Sequence, residues 1–174
     1  MNKIVDKEYF SENVVKFEVE APLIAKSRKA GHFVIVRVGE KGERIPLTIA
    51  ASDLNKGTIT IVIQAVGASS KKICELNVGD YITDIVGPLG QATHIEYYGT
   101  VICAGGGVGI APMLPIIEAM KRAGNKVISV LAARTKDLVI LEKQVAEYSD
   151  EVLVMTDDGS YGHKGLITNG VEMV

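Results

Sequence analysis

A glycine-rich turn lies near the middle of the chain and reads Cys103-Ala104-Gly105-Gly106-Gly107-Val108-Gly109-Ile110-Ala111-Pro112. It follows an apolar run at 100–104 that predicts a strand, and it precedes a stretch at 110–124 whose apolar residues recur at helical spacing. Such a turn can hold a diphosphate, because its bare backbone lets the ligand approach and the free N–H groups at the helix start attract anions. Pro112 fits the first helical turn, because an N–H group there would have no acceptor within the helix and its absence costs no hydrogen bond. A tight strand-to-helix turn that binds no ligand stays open as the alternative.

Strand and helix patterns continue to alternate after this turn. Strands are predicted at 126–132 and 151–155, with a helix at 138–148 between them. This alternation predicts a parallel, doubly wound sheet, of which the predicted strands form half of a nucleotide-binding fold. A further helix begins at 170–174, so we expect a C-terminally truncated chain.

The first half of the chain has the pattern of β-structure. Apolar and polar residues alternate, with many β-branched side chains, in runs separated by glycine-bearing turns: 14–19, 33–38, 47–50, 58–63 and 81–86. One brief helix is predicted at 71–76. Short strands at this spacing favour a small antiparallel barrel.

Composition excludes several classes of function. The chain has 174 residues, of which 47% are hydrophobic, and these suffice to bury a core. The net charge is −2 and the basic residues are scattered, so no surface for nucleic acid is indicated. No apolar run is long enough to span a membrane and no signal sequence is recognisable, so we expect a cytoplasmic protein without membrane contact.

The chain contains two cysteines, Cys74 and Cys103, which are too few for an iron–sulfur cluster that usually takes about four cysteine ligands. Both lie among apolar residues, and we expect buried thiols without a disulfide.

No catalytic acid–base set is predicted. Asp157 and Asp158 are adjacent, but no second acidic cluster accompanies them, so no metal site is predicted either.

One candidate binding stretch in the barrel is Arg44-Ile45-Pro46-Leu47-Thr48. Arg44 could pair with a phosphate, and Thr48 could hydrogen-bond a ring heteroatom. Pro46 and Leu47 could pack on a flat ring. The alternative is an edge strand whose arginine and threonine face solvent.

A second candidate is Gln64-Ala65-Val66-Gly67-Ala68-Ser69-Ser70, which leads into the predicted short helix. Gly67 gives a flexible backbone, and Ser69 and Ser70 supply hydroxyl donors beside free N–H groups, a combination that suits an anion. The alternative makes one of the serines an ordinary helix N-cap, which explains the serine but not Gly67.

A third candidate, Thr156-Asp157-Asp158-Gly159-Ser160-Tyr161-Gly162, follows the last predicted strand. Loops at the carboxyl ends of parallel strands line the ligand crevice of such sheets. The glycines of this loop indicate close approach of its backbone to a ligand.

Two phosphate-binding turns, one on a barrel and one on a parallel sheet, resemble the ferredoxin–NADP reductase superfamily. The motifs Arg44–Ala50, Val86–Gly90, Gly105–Pro112 and Thr156–Gly162 are similar to one branch of it, and this resemblance covers essentially all 174 residues. That branch includes the small subunit of NADH-dependent ferredoxin:NADP oxidoreductase, also described as a sulfide dehydrogenase subunit. It also includes the electron-transfer subunit of class B dihydroorotate dehydrogenase.

The resemblance implies a β plus α/β fold. A six-stranded antiparallel Greek-key barrel that binds FAD is expected at 1–95. A partial parallel-sheet domain that binds a nicotinamide dinucleotide is expected at 96–174. Subunits of this branch continue into a cysteine-rich tail that binds a 2Fe–2S cluster, which is absent from this sequence, so no cluster is expected in this chain.

The resemblance also implies roles for single residues. The flavin would contact Arg44, Pro46, Leu47 and Thr48, with Thr48 near the reactive ring nitrogen. The ribityl or adenine parts would lie beside Gln64 and Val66, and the diphosphate of FAD would rest on Gly67, Ser69 and Ser70. The nicotinamide dinucleotide would bind at Gly105, Gly106, Gly107, Val108, Gly109 and Pro112, and its site would be lined by Asp157, Asp158 and Gly159.

The function implied by this resemblance is electron transfer. A hydride would pass between NAD(P)H and FAD, and electrons would leave to an iron–sulfur acceptor, with the larger catalytic subunit of a heteromeric oxidoreductase as partner. The alternative is a non-catalytic FAD- or nucleotide-binding module for assembly or regulation. Arg134 follows the second strand of the parallel sheet and would tolerate a 2′-phosphate, whereas the resemblance favours NAD, so the choice between NAD and NADP stays open.

Overall fold

The computed structural model describes residues 1–174 and divides into two compact units, Met1–Thr93 and His94–Val174. The first unit contains β1 (Asn2–Ser11), β2 (Val14–Glu20), α1 (Pro22–Ser27), β3 (Phe33–Arg37), β4 (Ile45–Asp53), β5 (Thr58–Gln64), α2 (Ala68–Cys74), β6 (Tyr81–Ile82) and β7 (Asp84–Leu89). Its strands are antiparallel and lie in the order β6-β1-β2-β5-β4-β3-β7. Because β3, β4 and β5 are successive neighbours and β2 lies beyond β5, the topology is the predicted Greek key.

One bent segment closes this sheet into a barrel. β6 pairs with β1 through Ile82 and Asn2, and β7 pairs with β3 through Asp84 and Arg37. Only Thr83 separates β6 from β7, so the two ends of the sheet are held by the same nine-residue stretch, 81–89. The bend at Thr83 also explains why the structure has seven strands where six are expected, since it divides one predicted strand in two.

The sequence pattern misses two elements of the barrel, β1 and α1. Within β1 only Ile4 is buried, and the charged residues Lys3, Asp6, Lys7 and Glu8 remove the alternation that marks the other strands. By contrast, the inward residues of β2 and β5 are fully buried, among them Phe17 and Ile61. The helix α2 begins three residues earlier than the predicted range of 71–76.

The second unit has a parallel sheet with helices on both faces. It contains β8 (Thr100–Gly106), α3 (Ile110–Arg122), β9 (Lys126–Ala133), α4 (Glu142–Glu147), β10 (Glu151–Thr156), β11 (His163–Lys164) and α5 (Ile167–Glu172), with strand order β11-β10-β9-β8. The Ser129 hydroxyl on β9 lies 2.8 Å from that of Ser149, just after α4. The next residue, Val130, faces the other way and contacts α5, where a Cβ on Gly170 would lie 2.7 Å from Val130 Cγ1. Helices on both faces are what the doubly wound pattern predicts.

The predicted helix at 138–148 is shorter in the structure. A 3₁₀ turn spans Lys136–Leu138, and α4 begins only at Glu142, because Leu141 adopts a left-handed backbone conformation with φ 58°. The added strand β11 has only two residues, both exposed, and therefore leaves no pattern in the sequence. No helix of either unit combines the length and the apolar character needed to cross a membrane.

Each unit contains one cysteine, and both thiols are buried, as the sequence predicts. Cys74 on α2 is 8% exposed and Cys103 on β8 is 7% exposed, and both are free. Burial raises the pKa of each thiol above its ordinary value. The neutral form of both cysteines is therefore favoured in the folded chain.

Asn125 links the loop before β8 to the end of α3. Its side chain is 1% exposed and satisfies its whole hydrogen-bonding capacity within the chain. The amide oxygen accepts from the N–H groups of Tyr98 (2.6 Å) and Gly99 (3.1 Å). The amide nitrogen donates to the carbonyl oxygens of Glu96 and Met120, both at 2.9 Å.

Replacement of Asn125 by alanine is expected to lower the free energy of unfolding by about 2–4 kcal/mol, because it removes four hydrogen bonds from backbone groups of which one is buried and three are part-buried. Asn169→Ala is the matched control: Asn169 is exposed and accepts one hydrogen bond, from Leu166 N. Its loss should lower the same free energy by about 1 kcal/mol or less. Urea unfolding followed by circular dichroism measures both. Equal effects of the two substitutions would contradict the role given to Asn125.

Asp150 is expected to contribute to the acid sensitivity of the second unit. Its carboxylate accepts from Lys121 Nζ at 2.7 Å and from Val127 N at 2.8 Å. The hydrogen bond from the Lys121 ammonium, together with the Val127 N–H, holds the pKa of this carboxyl below its ordinary value of 3.8. A lowered folded-state pKa adds stability above the unfolded-state value, and this stability is lost as the pH falls through the folded value.

Asp150→Asn is therefore expected to flatten the loss of stability below a pH near the ordinary value of 3.8, while lowering stability at neutral pH. The control is Glu147→Gln, which removes an exposed carboxylate that makes no hydrogen bond or ion pair. Thermal unfolding across the acid range compares the two variants with the wild type. If stability falls with decreasing pH in the same way in Asp150→Asn and in the wild type, this carboxyl does not contribute to the loss of stability in acid.

Candidate functional site

The barrel unit has a cavity of about 330 Å³ where β4 begins, β5 ends and α2 begins. Among the residues that line it are six of the predicted flavin-binding residues: Leu47, Gln64, Val66, Gly67, Ser69 and Ser70. The remaining lining residues are not predicted from the sequence: Glu43, Ile45, Ile63 and Ala68. The alternation of β4 is the signal that could have identified Ile45, because Ile45 and Leu47 share one face of the strand, whereas Glu43 precedes it.

The turn before α2 is fixed by a buried hydroxyl. Ser70 Oγ accepts from the N–H groups of Val66 (3.1 Å) and Gly67 (2.9 Å) and donates to the carbonyl oxygen of Gly67 (3.1 Å). The N–H groups of Ala68 and Ser69 have no acceptor within the chain. The turn therefore presents free backbone donors to the cavity in a conformation held by Ser70.

Gly67 has no structural reason to be glycine. Its φ of −116° is accessible to any residue, and a Cβ at this position would meet no atom within 4 Å. The backbone is consequently open to close approach by a ligand group that a side chain would obstruct. The free donors and the bare backbone of this turn are features that suit a diphosphate, and the flavin contacts of the cavity stay a prediction.

Lys7 holds the other end of α2. Its ammonium donates to the carbonyl oxygens of Cys74 (2.8 Å) and Leu76 (2.7 Å) and lies 5.6 Å from the centre of the Phe17 ring. A cation at the last carbonyl groups of a helix satisfies acceptors that have no intrahelical donor. β1, the strand that the sequence pattern misses, thus positions the helix that borders the cavity.

The remaining flavin candidates of the barrel are Pro46 and Thr48, on the other face of β4, and Arg44, which precedes that strand. Leu47 pairs with the fully buried Val34 and faces inward, whereas Pro46 and Thr48 face outward. Arg44 does not line the cavity, and its Nη2 lies 3.2 Å from Asp84 Oδ2. The predicted contacts are therefore divided between the cavity and the outer surface of the barrel, and they stay predictions.

In the second unit the glycine turn has the predicted arrangement of strand, turn and helix. Gly105 and Gly106 end β8, a 3₁₀ turn spans Gly107–Gly109 and includes Val108, and α3 begins at Ile110 with Pro112 in its first turn. Gly105 is closely packed: a Cβ there would lie 3.0 Å from Met113 Cε and 3.2 Å from the Gly109 carbonyl oxygen, so its neighbours would have to shift slightly.

Gly107 and Gly109 differ from Gly105, because a Cβ on either would meet no atom within 4 Å. Gly107 has a φ of +54°, a conformation that itself favours glycine. Gly109 has an ordinary helical φ of −64°, so neither strain nor packing requires glycine there. As at Gly67, the backbone beside Gly109 is free for a ligand, which fits a diphosphate at the start of α3.

The loop after β10 lies at the carboxyl end of the parallel sheet, the same edge as the glycine turn. Asp158 accepts from Ser160 Oγ (2.7 Å) and Ser160 N (2.9 Å), and these hydrogen bonds lower the pKa of its carboxyl. Asp157 is exposed and its carboxylate has no partner. Gly159 turns the chain with φ +78°. The two carboxylates thus differ: Asp158 shapes the loop, and Asp157 is available to a ligand.

The sequence model of one family, the oxidoreductase FAD-binding domain, matches residues 2–94. The chain is 45% identical over 172 residues to a Thermotoga maritima protein named dihydroorotate dehydrogenase B (NAD(+)), electron transfer subunit homolog, covering 99% of this chain and 61% of that protein. It is 29% identical over 175 residues to the dihydroorotate dehydrogenase B (NAD(+)) electron transfer subunit of Bacillus cereus (strain Q1), covering 97% of this chain and 67% of that protein.

Solved structures show the same fold. A chain of the NADH-dependent reduced ferredoxin–NADP oxidoreductase, described in connection with flavin-based electron bifurcation, superposes with a TM-score of 0.95 at 41% identity. The superposition covers 99% of this chain and 62% of that one. The ferredoxin reductase in carbazole 1,9a-dioxygenase has a TM-score of 0.81 at 20% identity, with coverage of 99% and 55%, which shows the fold alone.

The matched region is the unit that carries the barrel, the cavity and the Gly67 turn. The chain spans about three fifths of the length of the 45%-identical relative and of the 41%-identical structure. Since the family match covers more than half of the 174 residues, the chain belongs to the oxidoreductase FAD-binding domain family.

Proposed function

We propose that this chain binds FAD on its barrel unit and a nicotinamide dinucleotide on its parallel-sheet unit. In this proposal it forms part of an oxidoreductase that moves a hydride between NAD(P)H and FAD. The observation that carries the proposal is the cavity of about 330 Å³ over the Gly67 turn, in the unit that the FAD-binding family model matches.

When bound, the flavin and the nicotinamide supply the hydride chemistry, and the protein supplies binding and orientation. Ser70 holds the turn, and the N–H groups of Ala68 and Ser69 are the donors available to a diphosphate. The outward-facing Pro46 and Thr48 are the candidates for contact with the ring. No side chain is required as an acid or base, because hydride transfer between two cofactors depends on their positioning.

The parallel-sheet unit is proposed to bind the diphosphate of the nicotinamide dinucleotide at the Gly107–Gly109 turn. Support comes from the open space beside Gly109 and from Asp157, whose carboxylate is free at the same edge of the sheet. The names of the relatives include NAD(+) and NADH, which supports a nicotinamide dinucleotide as the ligand. Arg134 follows β9 and would tolerate the 2′-phosphate of NADP. Experiments should therefore compare NADPH with NADH.

The proposed partner is a larger catalytic subunit, and the proposed acceptor of electrons is an iron–sulfur group. Support comes from relatives named as electron transfer subunits and from the ferredoxin in the name of the 41%-identical structure. The reaction of the complete assembly is part of the proposal, because the chain spans 61% of its 45%-identical relative.

Gly67→Val is expected to weaken FAD binding at least tenfold, because the added side chain enters the space into which the diphosphate must fit. Quenching of flavin fluorescence during titration with the wild type and the variant measures the two dissociation constants. Wild-type protein that neither retains nor binds FAD would overturn the proposal. Unchanged FAD affinity in Gly67→Val would show that the diphosphate does not bind at this turn.

Gly109→Val is expected to leave FAD affinity unchanged and to slow reduction of the bound flavin by NADH or NADPH at least tenfold. Anaerobic stopped-flow absorbance, run with both nucleotides over a concentration series, separates weaker binding from slower transfer. The two glycine variants are mutual controls, since each places the same side chain in open space at an ordinary φ. Loss of both cofactors in Gly109→Val would indicate a folding defect and contradict separate sites.

A further inference from the structure

Glu43 is the only ionisable side chain that lines the barrel cavity. Its carboxylate accepts from Ser69 Oγ at 2.5 Å. Ser69 is one of the residues that the proposed function assigns to the diphosphate of FAD. A negative charge of the protein itself therefore lies one hydrogen bond away from the proposed phosphate position.

No cation lines the cavity to compensate for this charge. Arg44 follows Glu43 in the chain, but its guanidinium pairs with Asp84 on β7, which also pairs with Arg37. The lysines of α2, Lys71 and Lys72, are exposed and outside the lining. A phosphate in this cavity would meet the free backbone N–H groups of the turn and one carboxylate, because the hydroxyl protons of Ser69 and Ser70 are already donated to Glu43 and to the Gly67 carbonyl oxygen.

Flavins differ in the charge that they would bring to this position. FMN ends in a phosphate monoester with a charge of about −1.5 to −2 on a single phosphorus at neutral pH. FAD carries its charge on an internal diphosphate, spread over two phosphorus atoms. Since Coulomb repulsion grows with the charge nearest the carboxylate, Glu43 disfavours the terminal phosphate more strongly than the internal one.

We propose that Glu43 is a specificity-determining residue that makes this site select a dinucleotide flavin over a mononucleotide flavin. The proposal rests on the proposed FAD site. In this proposal Glu43 repels the terminal phosphate of FMN at the Gly67 turn, whereas the backbone donors of that turn bind either flavin.

The test measures dissociation constants for FAD and FMN in the wild type, Glu43→Gln, Glu43→Asp and Glu40→Gln by quenching of flavin fluorescence. Glu43→Gln keeps the shape and removes the charge, whereas Glu43→Asp keeps the charge. Glu40→Gln removes the same charge from the same connection between β3 and β4, at a residue outside the cavity. Thermal unfolding of each variant verifies that the barrel is folded.

We expect the ratio of the FMN to the FAD dissociation constant to fall about tenfold in Glu43→Gln, the effect of one partly screened charge. The ratio should stay near the wild-type value in Glu43→Asp and in Glu40→Gln. An unchanged ratio in Glu43→Gln would overturn the role of Glu43 while leaving the FAD site intact. Equal weakening of both flavins in Glu43→Gln would also overturn it, because the carboxylate would then be an acceptor for a flavin hydroxyl. Wild-type protein that binds neither flavin would contradict the proposed function itself.

Discussion

Closure of the barrel depends on the bend at Thr83, which lets one segment pair with both ends of the sheet. A straight segment would leave one end with a row of unpaired N–H and C=O groups. The Thr83 hydroxyl also accepts from Gly39 N at 2.7 Å, so the bend is tied to the connection that carries Glu43. With both ends paired, the starts and ends of β4 and β5 are fixed side by side, and the cavity between them keeps its shape.

Much of the fold could be predicted, because most of its elements leave a pattern in the sequence. Inward residues of β2 and β5 alternate with polar ones, and the glycine turn at 105–109 marks the change from strand to helix. Elements whose stability comes from neighbours leave no such pattern. Four of the ten residues of β1 are charged, and this strand forms because it lies between β2 and β6. The helix α4 is shortened by the left-handed Leu141.

The candidate site could be predicted in its backbone but less well in its side chains. Glycines and serines at 67–70 indicate a bare, donor-rich turn, and the structure places that turn at a cavity. A motif of consecutive residues does not indicate which of them share a face of a strand. In the structure Leu47 faces inward, whereas its neighbours Pro46 and Thr48 lie on the opposite face of β4. Glu43 and Lys7 act through residues distant in sequence, Ser69 and Cys74, and no local pattern indicates such pairs.

Burial of the thiols has a consequence for how the chain can be observed. Reaction of a cysteine requires an accessible thiolate, and desolvation raises the pKa of both Cys74 and Cys103. Cys74 belongs to the first unit and Cys103 to the second. Modification of either thiol must therefore await opening of its own unit, which gives the chain one internal reporter of local unfolding for each unit.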